Sequence, residues 1–189
     1  GAKPPAALAV VMGSDEYETT GFALTNATGE PVRLTATVGD LRGAGGSIPA
    51  QALTVRIDAF NDCRDGIQRP DALPLVDADG AIIDPGCTRQ IWLNIHATGQ
   101  AAGSYRGELT LSLPSGRRVF PIAVEVVSVT LPNPLPLATL DWGYLSFVPC
   151  QADPEAAIRD RAAHRINTAV LANATLPRFS VGADGSLIS

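Results

Sequence analysis

Asp141, Trp142 and Tyr144 set one carboxylate beside two aromatic rings within four positions. Aromatic faces stack on the apolar side of a pyranose ring, and glycoside hydrolysis works through two carboxyl groups about 5 to 9.5 Å apart. The segment is therefore a candidate sugar-binding site, with the alternative that the rings pack in a seam between domains while Asp141 caps a turn. Trp92, the other tryptophan, is a further candidate contact for carbohydrate or protein. It shares an alternating segment with Asn94 and His96, and for His96 packing at a surface or domain interface is the expected role.

Other clusters carry less chemistry. Asp15, Glu16 and Glu18 crowd three acids into four positions, but an extended chain puts Glu16 and Glu18 on one face and turns Asp15 away. Hydrogen bonding at the start of a strand is the stronger expectation than a calcium site or an acid and base pair. Asp77-Ala78-Asp79-Gly80 opens like a calcium loop but lacks the third ligand and the glutamate at position twelve, which leaves a plain turn. His96 and His164 have no serine or cysteine at a catalytic spacing, and neither GxSxG nor HExxH occurs. No glycine-rich phosphate loop leads a helix, so the sequence calls for no metal and no cofactor. Asn26-Ala27-Thr28 and Asn173-Ala174-Thr175 match the N-glycosylation pattern, while Asn173 alone reads as a turn residue. The three cysteines are too widely spaced for a CxxC zinc framework. Cys63 and Cys87 bracket a Pro- and Asp-rich stretch and are the candidate disulfide, a closure worth about 3 kcal/mol. Two free thiols are the alternative, since spacing alone does not pair cysteines.

The elements that must position these residues are short strands. Period-two alternation, which places one face on a core and the other in water, marks Gly21 to Thr25, Val32 to Val38 and Leu53 to Ala59. It recurs with Ile91, Leu93 and Ile95 opposite Trp92, Asn94 and His96, then in Tyr105 to Leu113 and in Phe120, Ile122, Val124 and Val126. After Val126 the apolar parity shifts, which predicts a bulge or a change of face as the strand leaves the sandwich. Pro114-Ser115-Gly116 predicts a hairpin, and Asn26 to Pro31, Gly43 to Pro49, Asp77 to Gly80 and Gly99 to Ser104 read as turns. Seven or eight such strands without helical periodicity predict a mainly β fold, an immunoglobulin-like β-sandwich over residues 1–130.

Three prolines at alternate positions in Leu131-Pro132-Asn133-Pro134-Leu135-Pro136 predict a stiff, extended linker over residues 131–137. Beyond it the pattern changes. Leu137 to Phe147 reads as a strand region, Asp153 and Pro154 take the N-cap and first-turn positions of a helix lined by Ile158 and Ala162, and Asn167 to Leu171 is a second strand. This βαβ-like segment, residues 138–189, opens an α/β domain. A (β/α)8 barrel needs about 250 residues, so a barrel begun here would be truncated.

Composition excludes several classes. The chain has 189 residues, 46% of them hydrophobic, enough for a real core. Basic residues number 14 against 19 acidic, a net charge of −5, and they are scattered apart from Arg117 and Arg118, which argues against nucleic acid. No apolar run approaches the roughly 20 residues that span a bilayer, and Gly1 to Pro5 carries no signal-peptide core, so no membrane partner is expected.

Several segments in combination carry a family resemblance. Asp15-Glu16-Tyr17-Glu18-Thr19-Thr20-Gly21-Phe22-Ala23-Leu24, Val38-Gly39-Asp40-Leu41-Arg42-Gly43 and Arg89-Gln90-Ile91-Trp92-Leu93-Asn94-Ile95-His96 are joined by Ala102-Gly103-Ser104-Tyr105-Arg106-Gly107 and the close at Val124 to Pro132. Together they resemble the N-terminal β-sandwich of bacterial glycoside-hydrolase-like proteins, where it precedes a (β/α)8 barrel of uncharacterised or N-acetylhexosaminidase-like type. The resemblance implies that Leu140-Asp141-Trp142-Gly143-Tyr144 ends the first barrel strand and that His164-Arg165-Ile166-Asn167 joins helix to second strand. It implies that the catalytic carboxylates lie on later strands absent from this chain, that the sandwich braces the barrel, and that the protein is secreted or periplasmic. Its partners would be the remainder of the barrel and carbohydrate. The alternative is a stand-alone carbohydrate- or protein-binding sandwich.

Overall fold

A computed structural model describes residues 7–132, 135–144, 148–170, 180–181, 183 and 187–188. The chain divides into two compact units, residues 1–131 and 132–189.

The first unit is built from β1 (Leu8–Ser14), β2 (Tyr17–Thr25), β3 (Val32–Val38), β4 (Leu41–Gly43), β5 (Gly46–Ile48), β6 (Leu53–Ile57), β7 (Ala59–Asp62), β8 (Gln68–Ala72), β9 (Ala81–Ile83), β10 (Thr88–His96), β11 (Gly103–Leu113) and β12 (Gly116–Thr130). One sheet runs β1-β12-β11-β3-β9, with β4 added to β11 beyond the end of β3 and β5 added to β4. The other runs β2-β10-β6, and β7 with β8 forms a separate two-stranded ribbon. β3, β11 and β12 in one sheet against β2, β10 and β6 in the other is the immunoglobulin-type division of strands, with the first strand carried onto the far sheet, parallel to β12.

Alternation dictates what fills the space between the sheets. Ile91, Leu93 and Ile95 of β10, Leu53, Val55 and Ile57 of β6, and Tyr105, Leu109 and Leu111 of β11 all join one buried cluster. Phe22 of β2 stacks on Phe120 of β12, ring centroids 4.3 Å apart, tying the two sheets together. The Tyr105 hydroxyl donates to the Ala101 carbonyl oxygen, the tyrosine corner of Greek-key sandwiches. Two positions beyond it, where antibody domains place a core cysteine, Gly107 makes room for Leu41, whose Cδ2 lies 2.5 Å from where a Cβ would stand.

The parity shift after Val126 is a bulge. Met12 pairs with Val126 but Ser14 with Thr130, and a Cβ on Gly13 would come within 2.9 Å of the Val129 carbonyl oxygen. Leu113 pairs with Gly116 across the expected hairpin, where Gly116 takes φ +114°. Gly43 to Pro49, read as a turn, is instead the β4–β5 hairpin. β1 and the β7–β8 ribbon were not expected, the first because its outward residues Ala9 and Val11 are themselves apolar and mask the alternation, the second because Pro70 sits within β8. The Cys63–Cys87 bridge is corrected: Cys63, Cys87 and Cys150 are free. Cys63 closes the tip of the β7–β8 ribbon, its N–H donating to Ile67, while Cys87 is held in a separate turn by its bonds with Asp84 and Asn26.

The second unit holds β13 (Leu140–Tyr144), α1 (Val148–Ala152), α2 (Pro154–Ala163), β14 (Thr168–Val170), β15 (Ser180–Val181) and β16 (Leu187–Ile188). β13 and β14 pair in parallel, Leu140 with Thr168 and Tyr144 with Val170, and the helices lie between them in the chain. Asp153 caps α2 by accepting from the Ala156 N–H at 2.9 Å, and Pro154 occupies the first turn. Asn167 accepts the Thr139 N–H and donates to the Leu137 carbonyl, fixing the approach to β13 against the approach to β14. No residue of α2 is buried, and Leu137, Leu140 and Ile158 are each more than half exposed. That is the exposure of a βαβ unit that supplies little covering layer of its own.

Candidate functional site

Because Ile91, Leu93 and Ile95 point inward, Gln90, Trp92, Asn94 and His96 of the central strand β10 point out from the three-stranded sheet. Register sets their neighbours. Trp92 stands between Gly21 of β2 and Arg56 of β6, Asn94 between Thr19 and Thr54, and His96 beside Tyr17. The Tyr17 and His96 rings stack with centroids 3.8 Å apart and planes 10° from parallel. Trp92 Nε1 donates to Gln90 Oε1 at 3.1 Å, which fixes the indole along the strand.

Gly21 sits at a close approach of two strands. A Cβ on it would lie 2.6 Å from the Ile91 carbonyl oxygen, a backbone atom that yields only if the strands move apart. The missing side chain leaves a shallow hollow of about 290 Å³ beside Trp92, with Ala23 and Gln90 on its rim. Arg56 donates to the Leu73 carbonyl oxygen at 2.7 Å, so its guanidinium is anchored at the edge of the face. Asn94 Oδ1 is buried and accepts no hydrogen bond among the described residues. The feature this face offers is an aromatic ring beside a hollow. Asp58, the carboxylate at the end of β6, is buried and accepts the Gln90 N–H at 2.9 Å, so it is committed to structure.

The other acids are structural. Glu16 accepts the Gly13 N–H at 2.6 Å, Glu18 the Thr19 N–H at 3.2 Å, and Asp15, at φ +62°, the Gly99 N–H at 3.1 Å. Asp77 Oδ1 accepts from Asp79 and Gly80, a plain turn. No group of three metal-ligating side chains occurs among the described residues. Asn26 is buried and spends its amide hydrogens on the Glu30 and Ile83 carbonyls, so that glycosylation motif is a structural asparagine. Asn173 lies outside the described residues.

Asp141, Trp142 and Tyr144 lie on β13, in parallel pairing with β14, and their side chains fall outside the described residues. His164 ends α2, its Nδ1 3.5 Å from the Asp160 carboxylate, a helix-terminal role.

No family model and no curated relative matches the chain. Solved structures do. A family 123 glycoside hydrolase from Clostridium perfringens, studied for glycolipid glycan hydrolysis, superposes with a TM-score of 0.56 at 14% identity, over 67% of this chain and 24% of the hydrolase. The chain is similar in fold to part of a glycoside hydrolase. It spans about a quarter of that protein's length. A PapD-like domain of human CEP192 matches 69% of the chain at 8% identity and a TM-score of 0.39. The CooA pilin subunit of enterotoxigenic Escherichia coli matches 64% at 14% identity and a TM-score of 0.36.

The likeness to the hydrolase is one of fold, and the Trp92 face is a property of this chain's own register. Period-two alternation puts Trp92, Asn94 and His96 on one face, whereas Gly21, Tyr17 and Arg56 reach it only through strand pairing. The signal available was the lone glycine inside an alternating strand, which marks a close backbone approach. No helix among the described residues is long and apolar enough to cross a membrane.

Proposed function

We propose that this chain is the non-catalytic sandwich region, with the opening strand–helix–strand unit of a barrel, of a larger secreted or periplasmic glycoside-hydrolase-like protein. The observation that carries this reading is the superposition on a quarter of a glycoside hydrolase at a TM-score of 0.56. The parallel β13–β14 pair joined through α2, with its apolar residues uncovered, supports a barrel as the continuation. Asp141, Trp142 and Tyr144 then belong to the barrel face of the substrate cleft, and the two carboxyl groups of hydrolysis come from later strands.

The test compares this chain with a polypeptide extended past Ser189 on a panel of nitrophenyl glycosides. Turnover by the extended protein alone is the expected result. Turnover by this chain, or a continuation without alternating strands and helices, overturns the reading.

A second reading rests on the hollow beside Trp92 and Gly21: the outer face of β2-β10-β6 binds neutral carbohydrate. Affinity electrophoresis in polysaccharide gels should show retardation that Trp92→Ala removes. Unchanged mobility in every polysaccharide rejects it.

A further inference from the structure

The opposite sheet carries a second feature of a different chemical kind. β3 pairs with β11 from Leu109 to Ser112, and β4 pairs with it again only at Tyr105 and Arg106. Between these stretches Gly39 and Asp40 leave the ladder, and with Gly107 and Glu108 they line an open, shallow groove of about 670 Å³. Leu41 turns into the core against Gly107, and this forces its neighbour Arg42 outward. Tyr105, equally buried, turns Arg106 outward on the adjoining strand.

Arg42 and Arg106 are therefore direct cross-strand partners on the exposed face. Like charges directly opposite each other destabilise a sheet unless something neutral or negative joins them. Nothing among the described side chains does so. Asp40 spends Oδ1 on the Ala50 N–H at 2.9 Å, and Glu125 on β12 is taken by the Ser104 hydroxyl. Glu108 lines the same groove without an ion pair to either arginine. On the other side of Arg106 the register places Ala123, which offers no charge.

Two arginines at facing register positions on one groove suit a planar carboxylate, which can take paired N–H donors. The flanking groups narrow the ligand further. Asp40, Glu108 and Thr37 on the same groove supply acceptors and a hydroxyl suited to sugar hydroxyls. We infer that this groove binds a hexuronate residue of an acidic polysaccharide, its carboxylate seated on Arg42 and Arg106. The site is separate from the Trp92 face and does not depend on it.

Calorimetric titration with tetragalacturonate should show binding that weakens by about tenfold for Arg42→Ala and for Arg106→Ala, the loss of one charge-assisted contact. Arg106→Lys, which keeps the charge and loses the fork, should weaken binding while leaving the thermal melt in place. Fully methyl-esterified tetragalacturonate should not bind, and Trp92→Ala should leave the titration unchanged. Without ligand, Arg42→Ala should melt no lower than the parent, since it relieves a like-charge pair. Equal binding of acid and ester, or unchanged affinity in both alanine variants, overturns the inference.

Discussion

The Tyr105 hydroxyl donates to the carbonyl oxygen of Ala101, 2.8 Å away and four residues upstream, from a side chain with no exposed surface. A Cβ on Gly45 would come within 2.9 Å of the same hydroxyl, so three segments of chain close on this one ring. A neutral hydrogen bond contributes about 0.5–1.5 kcal/mol net, and the exposed Ala101 can turn its carbonyl to water when the hydroxyl is removed. Tyr105→Phe should lower stability by about 1 kcal/mol, read as a lower urea midpoint with an unchanged slope. A midpoint equal to the parent's would show that the corner adds nothing to the sandwich.

Gly21 should resist substitution for a reason unrelated to turns. Its Cβ position is 2.6 Å from the Ile91 carbonyl oxygen, and relief requires β2 and β10 to move apart. Gly21→Ala is expected to cost about 1–3 kcal/mol by overpacking and to shift Trp92 fluorescence, since the indole flanks the same hollow. Gly39→Ala, where a Cβ meets nothing within 4 Å, is the control. Equal melting of both variants would contradict the close approach.

These two positions show what the linear sequence carries and what it withholds. The alternation of Ile91, Leu93 and Ile95 against Trp92, Asn94 and His96 states which residues face water, because period two is a local property. It cannot state that Trp92 meets Gly21 and Arg56, since a partner 71 or 36 positions away is chosen by register (92 − 21 and 92 − 56). β1 was hidden because Ala9 and Val11 are apolar on the outward face too. The arginine groove depends on a break in strand pairing, and such breaks leave no periodic mark. Helix α2 was legible for the opposite reason, because Asp153 and Pro154 act within one turn.

Asn26 holds a turn from within. Its amide donates to the Glu30 carbonyl at 2.8 Å and the Ile83 carbonyl at 2.9 Å, and its Oδ1 accepts from the Thr28 N–H and hydroxyl. Asn26→Asp keeps the acceptor and removes both donations, setting a buried carboxylate against two carbonyl oxygens. A loss of about 3 kcal/mol is expected, the cost of unpaired buried groups. Thr28→Val, which deletes the hydroxyl's bonds to Asn26 and Glu30 but leaves no buried charge, should cost less in the same thermal melts. The reverse order would place the anchor of this turn on Thr28.

At the tip of the β7–β8 ribbon the Arg69 guanidinium grips Asp65 through two bonds, at 2.9 and 2.6 Å, and Ile67 donates its N–H to the same carboxylate at 3.1 Å. The Arg69 hydrogen bonds first, and the Ile67 N–H second, hold the Asp65 carboxyl below its ordinary 3.8, while Arg69 is pushed up by the same pairing. A carboxyl whose folded value is depressed adds order that is complete above the unfolded value and is lost as pH falls through the folded one. The tip should therefore stay closed at neutral pH and loosen only in acid below 3.8. In a titration followed by amide resonances, the Ile67 N–H should shift with a midpoint below 3.8, and Asp65→Asn should abolish that shift. Both side chains are about half exposed, so the melting temperature of the sandwich should hardly respond to the substitution. A midpoint at or above the ordinary carboxylate value would mean that the pair does not form in solution.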